Sequence, residues 1–269
     1  WDGSVLLYNE CAGNTTWQYD PAAGMASLWR SNTGGSNGQN YSSAGRLFNC
    51  EGTGKRITEV SSDATPTVVA DNFEGIPFNA PNDLAIDTTG RIWFSDPNYG
   101  ERPTEMTHES VYRLDESANG WSTTRVSFDT SRPNGVLLSK DEKTLFVAES
   151  PPAPDHPRQL RAYPITENGG LGEHVVLHDF DGARGIDGMC LNSDGNIVAS
   201  AGNLATGPGP MIYVFSPDGE VLSTYETPVD GPTNCAFAED DLGVLYVTFA
   251  AGYLYRVPNT GMNGHILFP

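Results

Sequence analysis

Five residues able to present an oxygen to a cation or a polar substrate recur in phase along the chain. They are Asn37, Asn82, Asn134, Asp187 and Asn234, within Ser36-Asn37-Gly38, Pro81-Asn82-Asp83, Pro133-Asn134-Gly135, Ile186-Asp187-Gly188 and Thr233-Asn234-Cys235. Successive members stand 45, 52, 53 and 47 residues apart, each opening a short stretch that reads as a strand. Amide and carboxylate oxygens are hard donors, and a site built from them suits a divalent cation such as Ca²⁺. Softer metals call for imidazole or thiolate. None of the five histidines (His108, His156, His174, His178, His265) falls in the phase. Asp187 is the one acid of the five, so it can act as both metal ligand and general base. Asn-Gly and Asp-Gly are also ordinary turn dipeptides. The phase, rather than any single pair, separates this set from scattered turns. Asp83, Asp96 and Glu51 are further acids for which turn-capping or solvated roles stand equally open.

The elements that would carry these residues repeat as well. A turn followed by a short alternating apolar strand recurs at Gly3, Gly45, Gly90, Lys143, Gly195 and Gly243, at intervals of 42, 45, 53, 52 and 48 residues. Third strands recur over residues 110–115, 211–215 and 252–256. Six units of about four strands, each near 45 residues, are the pattern of propeller blades. The expected fold is therefore all-β, a six-bladed β-propeller of four-stranded antiparallel blades around a central channel. In that fold the start of each innermost strand points to one mouth of the channel. No linker interrupts the pattern, so residues 1–269 read as a single propeller domain. Residues 100–108 and 151–159, rich in Pro and charge, read as surface loops.

Composition agrees and excludes some partners. The 269 residues carry 30 Gly and 19 Pro, which punctuate short strands, and no sustained 3.6-residue periodicity predicts helix. The net charge of −19 and pI near 4.4 repel phosphate backbones and anionic lipid surfaces, so neither nucleic acid nor membrane is expected as a partner. No apolar run is long enough to span a bilayer, and no signal peptide is seen. The four cysteines, Cys11, Cys50, Cys190 and Cys235, show no C-x-x-C spacing, which disfavours zinc and thioredoxin-type chemistry. Cys11 and Cys50 end equivalent strands of adjacent repeats, which admits a bridge; free buried thiols are the other reading.

The chain resembles the SMP-30/gluconolactonase/LRE family, in particular its bacterial gluconolactonase-like branch. The resemblance is carried most specifically by Phe73-Glu-Gly-Ile-Pro-Phe-Asn-Ala-Pro-Asn-Asp83 and Gly90-Arg-Ile-Trp-Phe-Ser-Asp-Pro-Asn-Tyr-Gly100. Cys50-Glu-Gly-Thr-Gly-Lys-Arg-Ile57, Arg132-Pro-Asn-Gly135, Asp187-Gly-Met189 and Pro232-Thr-Asn-Cys-Ala-Phe237 follow in the family's order. It implies a six-bladed propeller with a divalent cation held by a Glu, an Asn and an Asp from three blades. Asn134 matches the ligand Asn, and Asp187 matches the ligand Asp that also serves as base. Asn82 matches an Asn that contacts substrate or a metal-bound water. Asn37 is a further candidate for substrate contact, while Arg91 reads as a turn residue facing solvent. The family's ligand Glu lies just before the first Trp-containing strand; here the sequence opens at Trp1, and that position has no counterpart. Glu10 is expected at the far end of its strand, away from the shared mouth. The family's ring-closing strand lacks a counterpart for the same reason, and residues 264–268 could take its place.

The resemblance implies a metal-dependent lactonase, most simply a calcium-dependent one, that hydrolyses a sugar lactone such as gluconolactone. No Ser-His-Asp arrangement is visible, which argues against a serine esterase. Two rivals remain on the same scaffold: a phosphotriesterase-type hydrolase, and a non-catalytic sugar- or partner-binding propeller.

Overall fold

The computed structural model describes residues 1–99, 103–151 and 157–267. Parts of both long loops, residues 100–102 and 152–156, lie outside the described residues, as do His156 and Phe268. Among the described residues the regular structure is β-strand joined by turns and loops, apart from one turn of 3₁₀ helix at Asp240–Leu242. It divides into two compact units, Trp1–Arg132 together with Leu267, and Pro133–Ile266.

The first unit holds three antiparallel sheets whose strands follow chain order. The first sheet consists of Leu6–Glu10, Thr15–Asp20 and Met25–Ser31. The second consists of Ser36–Tyr41, Leu47–Glu51, Arg56–Val60 and Pro66–Ala70. The third consists of Leu84–Ile86, Ile92–Asp96, Ser110–Ser117 and Gly120–Arg125. A small hairpin, Asn72–Phe73 with Ile76–Pro77, lies between the second and third in sequence. The second unit repeats the plan. Its first sheet is Pro133–Leu138, Thr144–Glu149, Gln159–Pro164 and Val175–Asp179. Next comes Ile186–Asn192, Ile197–Ala201, Met211–Phe215 and Val221–Glu226, then Pro232–Ala238, Val244–Phe249 and Tyr253–Val257. These six sheets are the six expected blades. The first and sixth have three strands rather than four among the described residues. Gly264–His265, from the stretch read as a closing strand, pairs with Leu191 and Asn192 of the fifth blade.

Burial explains the strand compositions. The second strands Leu47–Glu51, Ile92–Asp96 and Ile197–Ala201 are buried at every position. Both of their faces are covered, so they read as runs rather than as alternations. Outer strands such as Val221–Glu226 are largely exposed. Core clusters join neighbouring blades within each unit. Phe48, Ile57, Phe78, Phe94 and Tyr112 join the second blade to the third. Phe146, Leu160, Ile197 and Phe215 join the fourth to the fifth. Val198, Cys235, Phe237 and Val247 join the fifth to the sixth. Each such buried side chain contributes roughly 1.5–3 kcal/mol.

The turn register differs by one residue from the sequence reading in two blades. The turns after the first strands place Gly45 (φ 75°), Gly90 (φ 89°) and Gly195 (φ 86°) in the left-handed region. In the fourth blade that place belongs to Glu142 (φ 56°), not Lys143, and in the sixth to Leu242 (φ 52°), not Gly243. Residue identity does not mark this position; backbone conformation defines it. With this register the turns from Gly45 to Leu242 are spaced by 45, 52, 53 and 47 residues, the same intervals as the phased Asn and Asp residues.

All four cysteines are free thiols. Cys11 lies one residue beyond its strand and is exposed, whereas Cys50 sits inside Leu47–Glu51 and is buried. Asn9, not Cys11, matches the place of Cys50. Cys11 stands two residues further on, past the strand's end and in the following turn.

Candidate functional site

The phased residues do not lie in turns. Asn37, Asn134 and Asp187 each sit within a register shift at the start of the first strand of their blade. The shifts fall between Ser36 and Gln39, Pro133 and Val136, and Ile186 and Met189. In the sixth blade the shift falls between Pro232 and Asn234. A bulge adds a residue to one strand and re-aims its side chain. Asn82 precedes Leu84–Ile86 and continues its pairing irregularly: its N–H donates to the Ser95 carbonyl (2.9 Å), and the Ser95 N–H donates to the Asp83 carbonyl (3.0 Å).

The glycines after three of these residues serve space rather than backbone angle. A methyl group built on Gly38 would come within 2.6 Å of the Asp83 Cα. One on Gly135 would overlap the Asp187 carbonyl oxygen, and one on Gly188 would overlap the Asn234 amide. Each glycine therefore lets the next blade's phased residue pack against its backbone. The Asn-Gly and Asp-Gly dipeptides are thus close-approach points between blades of one unit.

In the second unit this packing gathers Asn134, Asp187 and Asn234. The Asn134 amide donates to the Asp187 carboxylate. Arg184 Nη2 donates to Asp187 Oδ2 at 2.7 Å, while its Nη1 donates to the carbonyls of Gly202 (3.0 Å) and Pro232 (2.9 Å). The Asp187 side chain is 30% exposed. Burial nevertheless pushes its carboxyl above the usual carboxylate range, against the opposing charge of Arg184 and the hydrogen bonds from Asn134 and Arg184. Nothing in the repeat pattern marks Arg184. The equivalent places three residues before the other phased positions hold Gly34, Asn79, Ser131 and Gly231, and no cation.

In the first unit Asn37 and Asn82 are neighbours through the backbone: the Gly38 N–H donates to the Asn82 carbonyl at 2.7 Å. Asn9 Nδ2 donates to the Asn37 carbonyl at 2.6 Å, a contact the repeat did not flag. Glu10 was expected at the far end of its strand. Second strands, however, end where first strands begin, as Glu51 opposite Ser36 and Glu149 opposite Pro133 show. Glu10 takes that place in the first blade, but its exposed carboxylate accepts from Thr15 Oγ1 (3.2 Å).

The remaining acids have structural partners. Glu51 is fully buried between Arg30 (2.6 Å) and Arg56 (2.7 Å) and also accepts from Thr58 (3.0 Å). Asp96, likewise buried, accepts the N–H groups of Asn79 and Ala80, both at 2.8 Å. It thereby clamps the segment leading into Asn82. Burial raises its carboxyl to about 7, with the two N–H donors and Lys55 opposing and Glu109 adding to the rise. Arg91 is held in its turn by Asp87 (2.6 Å) and lies over Trp93, at the opposite end of the first strand from Asn82.

Among the described residues no three His, Cys, Asp or Glu side chains cluster to hold a metal. The oxygen-bearing side chains joined at Asp187 are its carboxylate and the Asn134 amide. They fit a hard, oxygen-seeking divalent cation in kind, and leave its other positions to water or substrate.

Repeated antiparallel blades with bulged first strands define a six-bladed β-propeller. The chain belongs to the SMP-30/gluconolactonase/LRE-like family, whose model matches residues 1–251. It is 30% identical over 266 residues to a gluconolactonase of Zymomonas mobilis, covering 88% of this chain and 71% of that protein. It is 30% identical over 182 residues to a 6-deoxy-6-sulfogluconolactonase of Pseudomonas putida, covering 67% of this chain and 57% of that one. Among solved structures it is similar to a gluconolactonase from Xanthomonas campestris. That match has a TM-score of 0.81 at 27% identity and covers 94% of this chain and 82% of the other.

Proposed function

We propose that this protein is a lactonase that opens a sugar lactone, with Asp187 as the general base. The observation that carries the reading is the setting of Asp187. It is the one acid among the phased residues, and Arg184 and Asn134 both hold its carboxylate. The relatives named as gluconolactonase and sulfogluconolactonase supply the substrate class.

The chemistry follows from the groups present. Water adds to the lactone carbonyl as the Asp187 carboxylate accepts its proton. The ring C–O bond then breaks, and the proton passes to the departing ring oxygen, giving the hydroxy acid. A carboxyl raised above its ordinary range is the stronger base near neutrality. Arg184 keeps it ionised and fixes its orientation. Amide N–H groups of Asn134 and Asn234 can donate to the oxygen that gains negative charge. Asn134 and Asp187 would hold a divalent cation, most simply Ca²⁺, which when bound supplies Lewis-acid polarisation of the carbonyl. Asn82 and Asn37 are proposed to contact the sugar hydroxyls, with Asp96 as the clamp that positions Asn82.

A substrate panel tests the reading. The expected result is opening of aldonolactones above the spontaneous rate, lost on chelation and restored by Ca²⁺, with no turnover of a phosphotriester. Turnover of the phosphotriester alone, or of neither class, would overturn it.

A further inference from the structure

We infer that Cys190 and Cys235 are a disulfide-forming pair that ties the fifth blade to the sixth. Cys190 lies on Ile186–Asn192, three residues after Asp187, and Cys235 lies on Pro232–Ala238, directly after Asn234. Their sulfurs are 3.6 Å apart, in van der Waals contact across the packed face between the two first strands. Cys235 is 6% exposed, and its thiol also lies 3.3 Å from the Val198 carbonyl. The proposal rests on this placement and is independent of the reaction proposed above.

The step is an oxidation of two thiols. One S–S bond forms, two S–H bonds break, and two electrons and two protons pass to an oxidant, here a low-molecular-weight disulfide that leaves as two thiols. Contact with Cys235 and burial both push the Cys190 thiol well above its ordinary range. Thiols packed between two blades are shielded from an outside disulfide, so the bridge forms as the chain folds rather than on the finished protein. It would join residues 45 positions apart in sequence. It would also fix the separation of the strands that begin at Asp187 and Asn234. Neither the repeat spacing nor the absence of C-x-x-C pointed to this pair. Its two members approach only because their strands are neighbours in different blades.

Two preparations of the full chain test it, one recovered natively from an oxidising compartment and one refolded with oxidised and reduced glutathione. Each is denatured in iodoacetamide without reductant, digested and mass-mapped. The expected result is a Cys190–Cys235 cross-linked peptide in the oxidised chain, with Cys11 and Cys50 alkylated. The oxidised chain should also melt about 5 °C or more above the reduced one. Cys190→Ser should abolish both the cross-link and that difference. Alkylation of all four cysteines in both preparations overturns the proposal, as does a bridge from either residue to Cys11 or Cys50.

Discussion

Gly135 packs so closely on Asp187 that a single methyl group at residue 135 would overlap the Asp187 carbonyl oxygen. The contact couples a blade's first strand to the base proposed for the reaction. The obstacle to a side chain is backbone, which cannot swing aside as a flexible side chain can.

Gly135→Ala is therefore expected to cost about 1–3 kcal/mol, the usual range for overpacking, and to lower lactonase activity by displacing Asp187. Gly182→Ala, at a position with no heavy atom near the added methyl, is the control and should unfold like wild type. Urea denaturation of the two variants separates the outcomes. Equal midpoints would show that the close approach carries no weight.

Arg184 should reveal itself in the pH profile. A base must be ionised, so kcat/KM falls as pH drops through the Asp187 carboxyl. Because burial raises that group, the acid limb is expected above the ordinary aspartate value of about 3.9. Arg184→Met removes the charge that opposes the rise, and the limb should move to still higher pH. A limb that stays in place would show that Arg184 does not act on Asp187.

Asp96 makes a different pH prediction, about stability. Its folded value of about 7 lies above the unfolded value of about 3.9. The unfolded chain therefore loses this proton first as pH rises. The contribution is most favourable below the unfolded value, declines from about pH 4 to about pH 7, and is then constant. Asp96→Asn is expected to be less stable overall, since it loses one of two acceptors, but its stability should vary less across that window. Unfolding measured at several pH values checks the slope, which loss of the clamp alone would not change.

Cation binding can be measured apart from turnover. Titration calorimetry with Ca²⁺ should detect binding to the wild-type chain. Asn134→Ala and Asp187→Ala should each weaken it roughly tenfold or more, a change of about 1.4 kcal/mol. Unchanged binding in both variants would remove these residues from the proposed cation site.

The blade count was legible because hydrophobic runs and turns repeat visibly. Its register was not, because Glu142 and Leu242 take a left-handed turn position that glycine fills in three other blades. Asn134, Asp187 and Asn234 could be found by phase, since equivalent places in a repeat share a location. Arg184 could not, being a cation at a place where no other repeat has one. Glu51 illustrates the opposite failure: a buried acid near the phased residues is consumed by Arg30 and Arg56, and the second of these partners lies on a strand whose facing direction only the fold defines. A turn reading of the Asn-Gly dipeptides stayed open beside the site reading because composition cannot distinguish a glycine that supplies a backbone angle from one that supplies room.

The most direct measurement is the initial rate of δ-gluconolactone opening by the wild-type chain and by Asp187→Asn, at a pH where spontaneous opening is slow. Asparagine keeps the shape of the side chain and removes the base. Wild type is expected to exceed the background clearly. The variant should retain its strand signature in circular dichroism and lose roughly a hundredfold or more in kcat, the usual scale of general-base catalysis. A variant as fast as wild type, or a wild type no faster than background, would contradict the account.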